Sequence, residues 1–235
     1  MHDFVAFVAG ASGYTGQAVV GALIARGIHT IAHVRPDSPH LDECCKRFTK
    51  IGARIDTTPW NERELMAAFA RCNPSLVFAL LGATRSRARQ AGVPIKHLYE
   101  DVDRRLTLML LAAAVQVSHP RFVYLSSAGA NRSPVNTYLR VRYEVEEAVR
   151  ASGLPYTIAR PSFITGTGRE EVRPRERFGA ALLDSATGVA RLFGASRWSD
   201  RYRSITGTAL ANVLVQRSLF ASTRMDILET EMLRE

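Results

Sequence analysis

Gly10-Ala11-Ser12-Gly13-Tyr14-Thr15-Gly16 has the residue types and spacing that phosphate binding requires. Its three glycines stand three apart, directly after the apolar run Phe4 to Ala9 and just ahead of Ala18 to Arg26, a helix-like stretch. A buried strand, a tight turn and a helix opening at that turn aim free backbone N–H groups and a partial positive charge at one point. In such a loop the first glycine lets the chain turn. The second lets backbone approach a pyrophosphate, and the third lets helix pack on strand. Ser12 and Thr15 can add hydroxyl contacts, and Tyr14 belongs to the same candidate set.

A second position bears on which ligand carries the phosphates. The next strand pattern ends in His33-Val34-Arg35, nineteen residues after Gly16. A site for an unphosphorylated ribose usually has Asp or Glu there. A guanidinium instead grips a 2′-phosphate with charge-assisted bonds. The expectation is therefore NADP(H) over NAD(H), with Asp37, two residues on, as the rival for the ribose hydroxyls. Asp56, at the end of the third strand pattern, is a further cofactor-binding candidate.

Elements that would position these residues alternate along the chain. Strand patterns cover 3–9, 28–34, 53–57, 75–81, 121–126 and 155–160, with helical patterns at 14–26, 40–50, 61–71, 97–117 and 136–152. Short all-apolar runs such as Leu76 to Leu81 fit strands buried on both faces. The expected fold class is α/β, a Rossmann-type doubly wound parallel sheet. Past Pro161 the alternation stops. A polar stretch at 166–177 precedes a helical pattern at 178–193, a strand near 202–206 and a helix at 208–221. No linker interrupts the chain, so 1–235 is read as a single domain. Its core spans about 1–161, and a small C-terminal cap on the substrate side spans about 162–235.

Composition narrows the function classes. Hydrophobic content of 46% and charged content of 23% are ordinary for a soluble domain. The longest apolar stretch, Leu106 to Val117, falls short of a bilayer span. With no basic leader ahead of the first apolar run, the expected location is cytoplasmic. Cys44, Cys45 and Cys72 form no disulfide framework, and no Cys/His spacing suggests a metal. Of the 31 basic residues only Lys46, Lys50 and Lys96 are lysines, which leaves 28 arginines behind a net charge of +9. These are dispersed rather than gathered into one footprint, so no nucleic-acid partner is expected.

Beyond the fifth strand pattern come Leu125-Ser126-Ser127-Ala128-Gly129-Ala130 and then Tyr138-Leu139-Arg140-Val141-Arg142. With the glycine loop, Leu81-Gly82-Ala83-Thr84-Arg85 and Ala159-Arg160-Pro161-Ser162, the chain resembles the atypical short-chain dehydrogenases/reductases of the NmrA-like kind. It is most similar to the Tat-interacting-protein-like oxidoreductases. The likeness extends through the pattern Arg169-Glu170-Glu171-Val172-Arg173-Pro174-x-Glu176.

The resemblance implies an oxidoreductase acting on a small-molecule carbonyl or alcohol, with Tyr138 as acid/base. Ser127 orients the substrate oxygen, with Ser126 as its rival. Leu81, Gly82, Pro161, Ser162 and Phe163 then lie against the cofactor. Where the family carries Lys, this chain has Arg142; positions four apart share a helix face, so it points into the same cleft as Tyr138. A cation about 4 Å from a phenolate stabilises it by about 4 kcal/mol at an effective dielectric near 20, but Arg lacks the compact ammonium that fits ribose hydroxyls.

Members of the same group also act as cofactor-sensing regulators, so a non-catalytic NADP(H) sensor working through a protein partner is the alternative. The helices at 97–117 and 136–152 could pair across a homodimer. Arg85, Arg87 and Arg89 flank the expected cleft, either as a solvated charge run or as contacts to an acidic substrate.

Overall fold

The computed structural model describes residues 4–132, 136–165, 204–220 and 225–233. Its main sheet joins β1 (Val5–Ala9), β2 (His29–His33), β3 (Arg54–Asp56), β4 (Leu76–Ala79), β5 (Arg121–Leu125), β6 (Tyr156–Arg160) and β9 (Met225–Glu229). The order across the sheet is β3-β2-β1-β4-β5-β6-β9, and every neighbouring pair is parallel. Val5 stands opposite His29 on one side of β1, and Ala6 opposite Leu76 on the other. Two short strands, β7 (Phe163–Thr165) and β8 (Ser204–Thr206), pair apart from this sheet.

Helices cover both faces. On one lie α1 (Tyr14–Ile24), α2 (Leu41–Lys50) and α8 (Gly207–Phe220); on the other lie α3 (Glu62–Cys72), α6 (Thr107–Val117) and α7 (Thr137–Ala151). Two short helices, α4 (Arg85–Gln90) and α5 (Ile95–Leu98), follow β4, and a π-helical segment (Tyr99–Leu106) carries α5 into α6.

The two cores explain why the strands are continuously apolar. Ala6 and Val8 of β1 join the α1/α8 core with Val19, Leu23, Leu210 and Leu214. Phe7 and Ala9 join the opposite core with Leu65, Phe69, Leu110 and Val145. Each large apolar side chain buried this way contributes about 1.5–3 kcal/mol. Phe7 and Phe69 also meet edge to face at 5.0 Å.

The doubly wound fold expected from the sequence is the one observed. The differences lie in short pieces. Helix α4 and strands β7 and β9 had no sequence signal. β9 is an edge strand with only Leu228 fully buried, so it needs no continuous apolar run. Its place beside β6, and that of α8 against α1, put part of the segment expected as cap into the sheet layers. The expected helix at 97–117 divides into α5, the π-helical segment and α6. The expectations at 166–177 and 178–193, with Arg169, Glu171 and Arg173, lie outside the described residues.

Because all seven strands run the same way, the loops that follow them open at one edge. Strand order reverses at β1, with β2 and β3 to one side and β4, β5, β6 and β9 to the other. A crevice beyond the strand ends at such a reversal is where this fold class binds ligands.

Candidate cofactor and active site

At the end of β1 the glycine loop has two glycines that the protein itself requires. Gly10 has φ of +82°, and a Cβ there would lie 2.7 Å from the Leu80 carbonyl oxygen. A Cβ on Gly16 would lie 2.1 Å from the Gly10 carbonyl oxygen, so helix α1 could not seat on the loop. Gly13 differs. It is exposed, and its Cβ would meet only the Gly10 oxygen, at 3.3 Å. A side chain there asks that oxygen to give by only a few tenths of an ångström, and the outer side is open to something approaching from outside.

Gly13 is also the N-cap of α1, whose first turn holds no acidic residue, so the unsatisfied N–H groups of that turn face the crevice without a competing carboxylate. The residues present fit the pyrophosphate of a dinucleotide. The other loop side chains are occupied or peripheral. Tyr14 donates its hydroxyl to the Thr165 carbonyl at 3.1 Å, and its ring fills the space a Cβ on Gly207 would need. Its phenol thus joins the loop to β7 and α8. Ser12 is exposed and Thr15 buried.

Arg35 follows β2 and pairs with Asp37, Nη1 to Oδ2 at 2.7 Å. The two candidates for the ribose thus hold each other, with side-chain exposures of 28% and 74%. Asp56 ends β3 and accepts the Thr58 amide at 3.0 Å, which closes that turn. Behind it His33 is buried against Phe7 and Trp60, with Nε2 at 2.8 Å from the Thr58 carbonyl. Burial lowers its pKa, against the opposing pull of that carbonyl and of Asp56.

The other half of the edge is built on a buried ion pair. Arg142 of α7 donates to Asp103 at 2.5 Å, to the Leu125 carbonyl at 2.9 Å and to the Leu81 carbonyl at 3.2 Å. It also donates to the Tyr124 hydroxyl at 3.3 Å. Asp103, from the π-helical segment, accepts the Ala83 amide at 2.8 Å as well. Burial pushes the Asp103 carboxyl up, while Arg142 and the Ala83 amide pull it back. Burial also pushes the Tyr124 hydroxyl up to about 12.

One guanidinium therefore ties α7 to the ends of β4 and β5, and a carboxylate ties the loop at Ala83 to the same point. Gly82 leaves the space, since a Cβ there would stand 3.4 Å from Arg142 Nη2. Arg142 Nε has no partner among the described residues.

Tyr138 lies in the first turn of α7, which Asn136 caps by accepting the Tyr138 and Leu139 amides at 3.0 and 3.3 Å. Its ring packs on Tyr99 at 5.1 Å, and the Arg142 guanidinium lies over it, 5.1 Å from the centroid. The sequence places this cation beside the phenol oxygen; the structure sets it against the ring face and pairs it with Asp103.

The two serines after β5 have separate surroundings. Ser126 is buried and donates to Glu146 at 2.5 Å. Glu146 is itself buried and bonded to Arg150 and Arg160, and Arg160 pairs with Glu229 of β9. Ser127 is half-buried, with one bond to the Ala128 carbonyl at 3.3 Å. At the end of β6 the Pro161 carbonyl accepts the Ala128 amide at 2.9 Å, and Ser162 and Phe163 lead into β7.

Asp103 and Glu146 are the residues that sequence reasoning missed. A signal existed for Asp103: it precedes Leu106 and Leu110 at helical spacing, a carboxylate on an otherwise apolar face. A shallow groove of about 870 Å³ on the outer side of α3 and α6, lined by Trp60, Met66, Met109 and Val117, includes none of these residues.

Against known proteins, residues 10–190 match a family model described as NAD(P)H-binding. The chain belongs to that NAD(P)H-binding family. It is 32% identical to protein fmp52, mitochondrial, of Emericella nidulans, over 74% of this chain and 73% of that one. It is 30% identical to protein TIC 62, chloroplastic, of Pisum sativum, over 68% of this chain and 32% of that protein. A short-chain type dehydrogenase/reductase from Mycobacterium ulcerans shares the fold, with a TM-score of 0.69 at 17% identity over 99% of this chain and 91% of that one. The resemblance to the atypical short-chain dehydrogenases/reductases is thereby borne out. The NAD(P)H-binding chain takes a nicotinamide dinucleotide, consistent with the open Gly13.

Proposed function

We propose that this chain is an NADP(H)-dependent oxidoreductase acting on a small-molecule carbonyl or alcohol at the C-terminal edge of β1, β4 and β5. The observation that carries this reading is the attachment of α7. Arg142 bonds the last carbonyls of the β4 and β5 regions, so Tyr138 stands in a fixed first turn at the edge where the Ser126-Ser127 turn leaves β5. The bound nicotinamide supplies hydride exchange with the substrate carbon. Tyr138 gives the proton to the substrate oxygen in reduction and takes it back in oxidation. Ser127, whose hydroxyl among the described residues makes only a long bond to the Ala128 carbonyl, holds that oxygen. The NADP(H) preference is supported by Arg35, whose partner Asp37 is largely exposed. Such a surface pair is worth about 0–1 kcal/mol, so a phosphate displaces the carboxylate readily.

A second reading is favoured by the Arg142–Asp103 pair. A cation neutralised at 2.5 Å is less available to a ribose or a phenolate than a free ammonium. A binder that senses NADP(H) and acts through a protein partner fits this arrangement. Cofactor titration combined with NADPH oxidation over a carbonyl panel separates the two. For an oxidoreductase, wild-type turnover disappears in Tyr138→Phe while NADPH affinity holds. For a sensor, wild type binds without turnover, and Arg142→Lys gains activity with little change in affinity.

A further inference from the structure

We propose that Arg87, on α4, is the second arm of a clamp for the 2′-phosphate of the dinucleotide, reaching it from the β4 side while Arg35 reaches it from the β2 side. The assignment rests on the NADP(H) reading above and adds a residue that the loop after β2 does not contain.

Strand order places β1 and its glycine loop between β2 and β4, so the segments carrying Arg35 and Arg87 flank the same crevice. The Thr84 hydroxyl accepts the Arg87 amide at 3.2 Å, and Ala88 is buried in the core, which together fix how α4 sits. Arg87 is half-buried, and its guanidinium has no hydrogen bond or ion pair among the described residues. Burial, and then repulsion from Arg35, lower its pKa, while Asp37 and Asp103 oppose the shift.

Both of those carboxylates are committed elsewhere. Asp37 pairs with Arg35 at 2.7 Å, and Asp103 holds Arg142 at 2.5 Å and the Ala83 amide at 2.8 Å. Among the described residues Arg35 and Arg142 each have a bonded acid and Arg87 has none. A half-buried guanidinium without an acceptor is unfavourable, and an anionic oxygen relieves it. The pyrophosphate has its own place at the glycine loop and the start of α1. Arg35 follows the strand over which the adenosine ribose lies in this fold class. Arg87 flanks the same crevice from the β4 side, opposite Arg35, and so serves the ribose phosphate.

Calorimetric titration of the whole chain with NADPH, NADH, adenosine 2′,5′-bisphosphate and 5′-AMP tests the clamp. Arg87→Gln weakens NADPH about 10- to 100-fold and the bisphosphate in step, with NADH and AMP within about twofold of wild type. Arg87→Lys, which keeps the charge but not the fork, recovers part of the loss. An unchanged NADPH-to-NADH ratio in Arg87→Gln overturns the assignment, and so does parallel loss of both cofactors. A wild type that binds NADPH and NADH equally overturns the NADP(H) reading itself, and the clamp falls with it.

Discussion

The loop after β1 and the ends of β4 and β5 form two halves of one crevice, yet they are held by different physics. At the glycine loop the constraint lies in the backbone. A Cβ on Gly10 or Gly16 would run into carbonyl oxygens at 2.7 and 2.1 Å, so residue type alone enforces the geometry. At β4 and β5 the constraint is a set of buried side chains, with Arg142 and Asp103 converging from separate helical elements. The first arrangement is local in sequence and tolerates variation around it. The second joins positions 39 residues apart and fails if either partner is lost.

Removing Asp103 should give the largest effect. Asp103→Ala leaves the Arg142 charge buried and unpaired, which costs about 3–5 kcal/mol of unfolding free energy. Urea denaturation reads this directly, and a loss under 1 kcal/mol would show that the second half is not held by its ion pair.

Gly16→Ala comes next, with about 1–3 kcal/mol of stability lost through overpacking and cofactor binding lost with it. Gly13→Ala should leave thermal stability almost unchanged and weaken only the cofactor. Equal destabilisation by the two would end the distinction between a glycine the protein needs and one its ligand needs.

The serine pair sharpens the comparison within the second half. Ser126→Ala costs about 1–3 kcal/mol because Glu146 keeps its burial and loses a donor. Ser127→Ala stays within about 0.5 kcal/mol of wild type in stability and changes turnover instead.

The smallest effect is one of pH. His33 is held below its ordinary value of 6.5 by burial, so at mildly acidic pH the unfolded chain binds more protons than the folded one. Its contribution to stability is complete above about 6.5 and declines as pH falls below that value. Thermal melts of wild type and His33→Gln across pH 5–8 should show a shallower acid slope in the variant.

Most of the fold was legible because its signals are local. Parallel strands buried on both faces must be apolar throughout, and β1, β4 and β5 declare themselves this way. β9 did not, since an edge strand carries half that requirement. The π-helical segment was equally silent. Its sequence reads as an ordinary helix, and only the pull of Asp103 toward Arg142 and Ala83 gives its placement a purpose.

The candidate site divides along the same line. Sequence alone put forward the glycine loop, the guanidinium after β2 and the Ser, Tyr and Arg set as candidates, because backbone clearance and helical spacing are written in consecutive residues. It named no acid for Arg142, although Glu146 lies four residues on along the same helix. Tertiary structure gave Glu146 to Ser126 and Arg160, and Asp103 to Arg142. Among the described residues it likewise gave Asp37 to Arg35 and no bonded carboxylate to Arg87. Charges buried far from water are decided by which distant partner reaches them first, and no spacing along the chain encodes that distance.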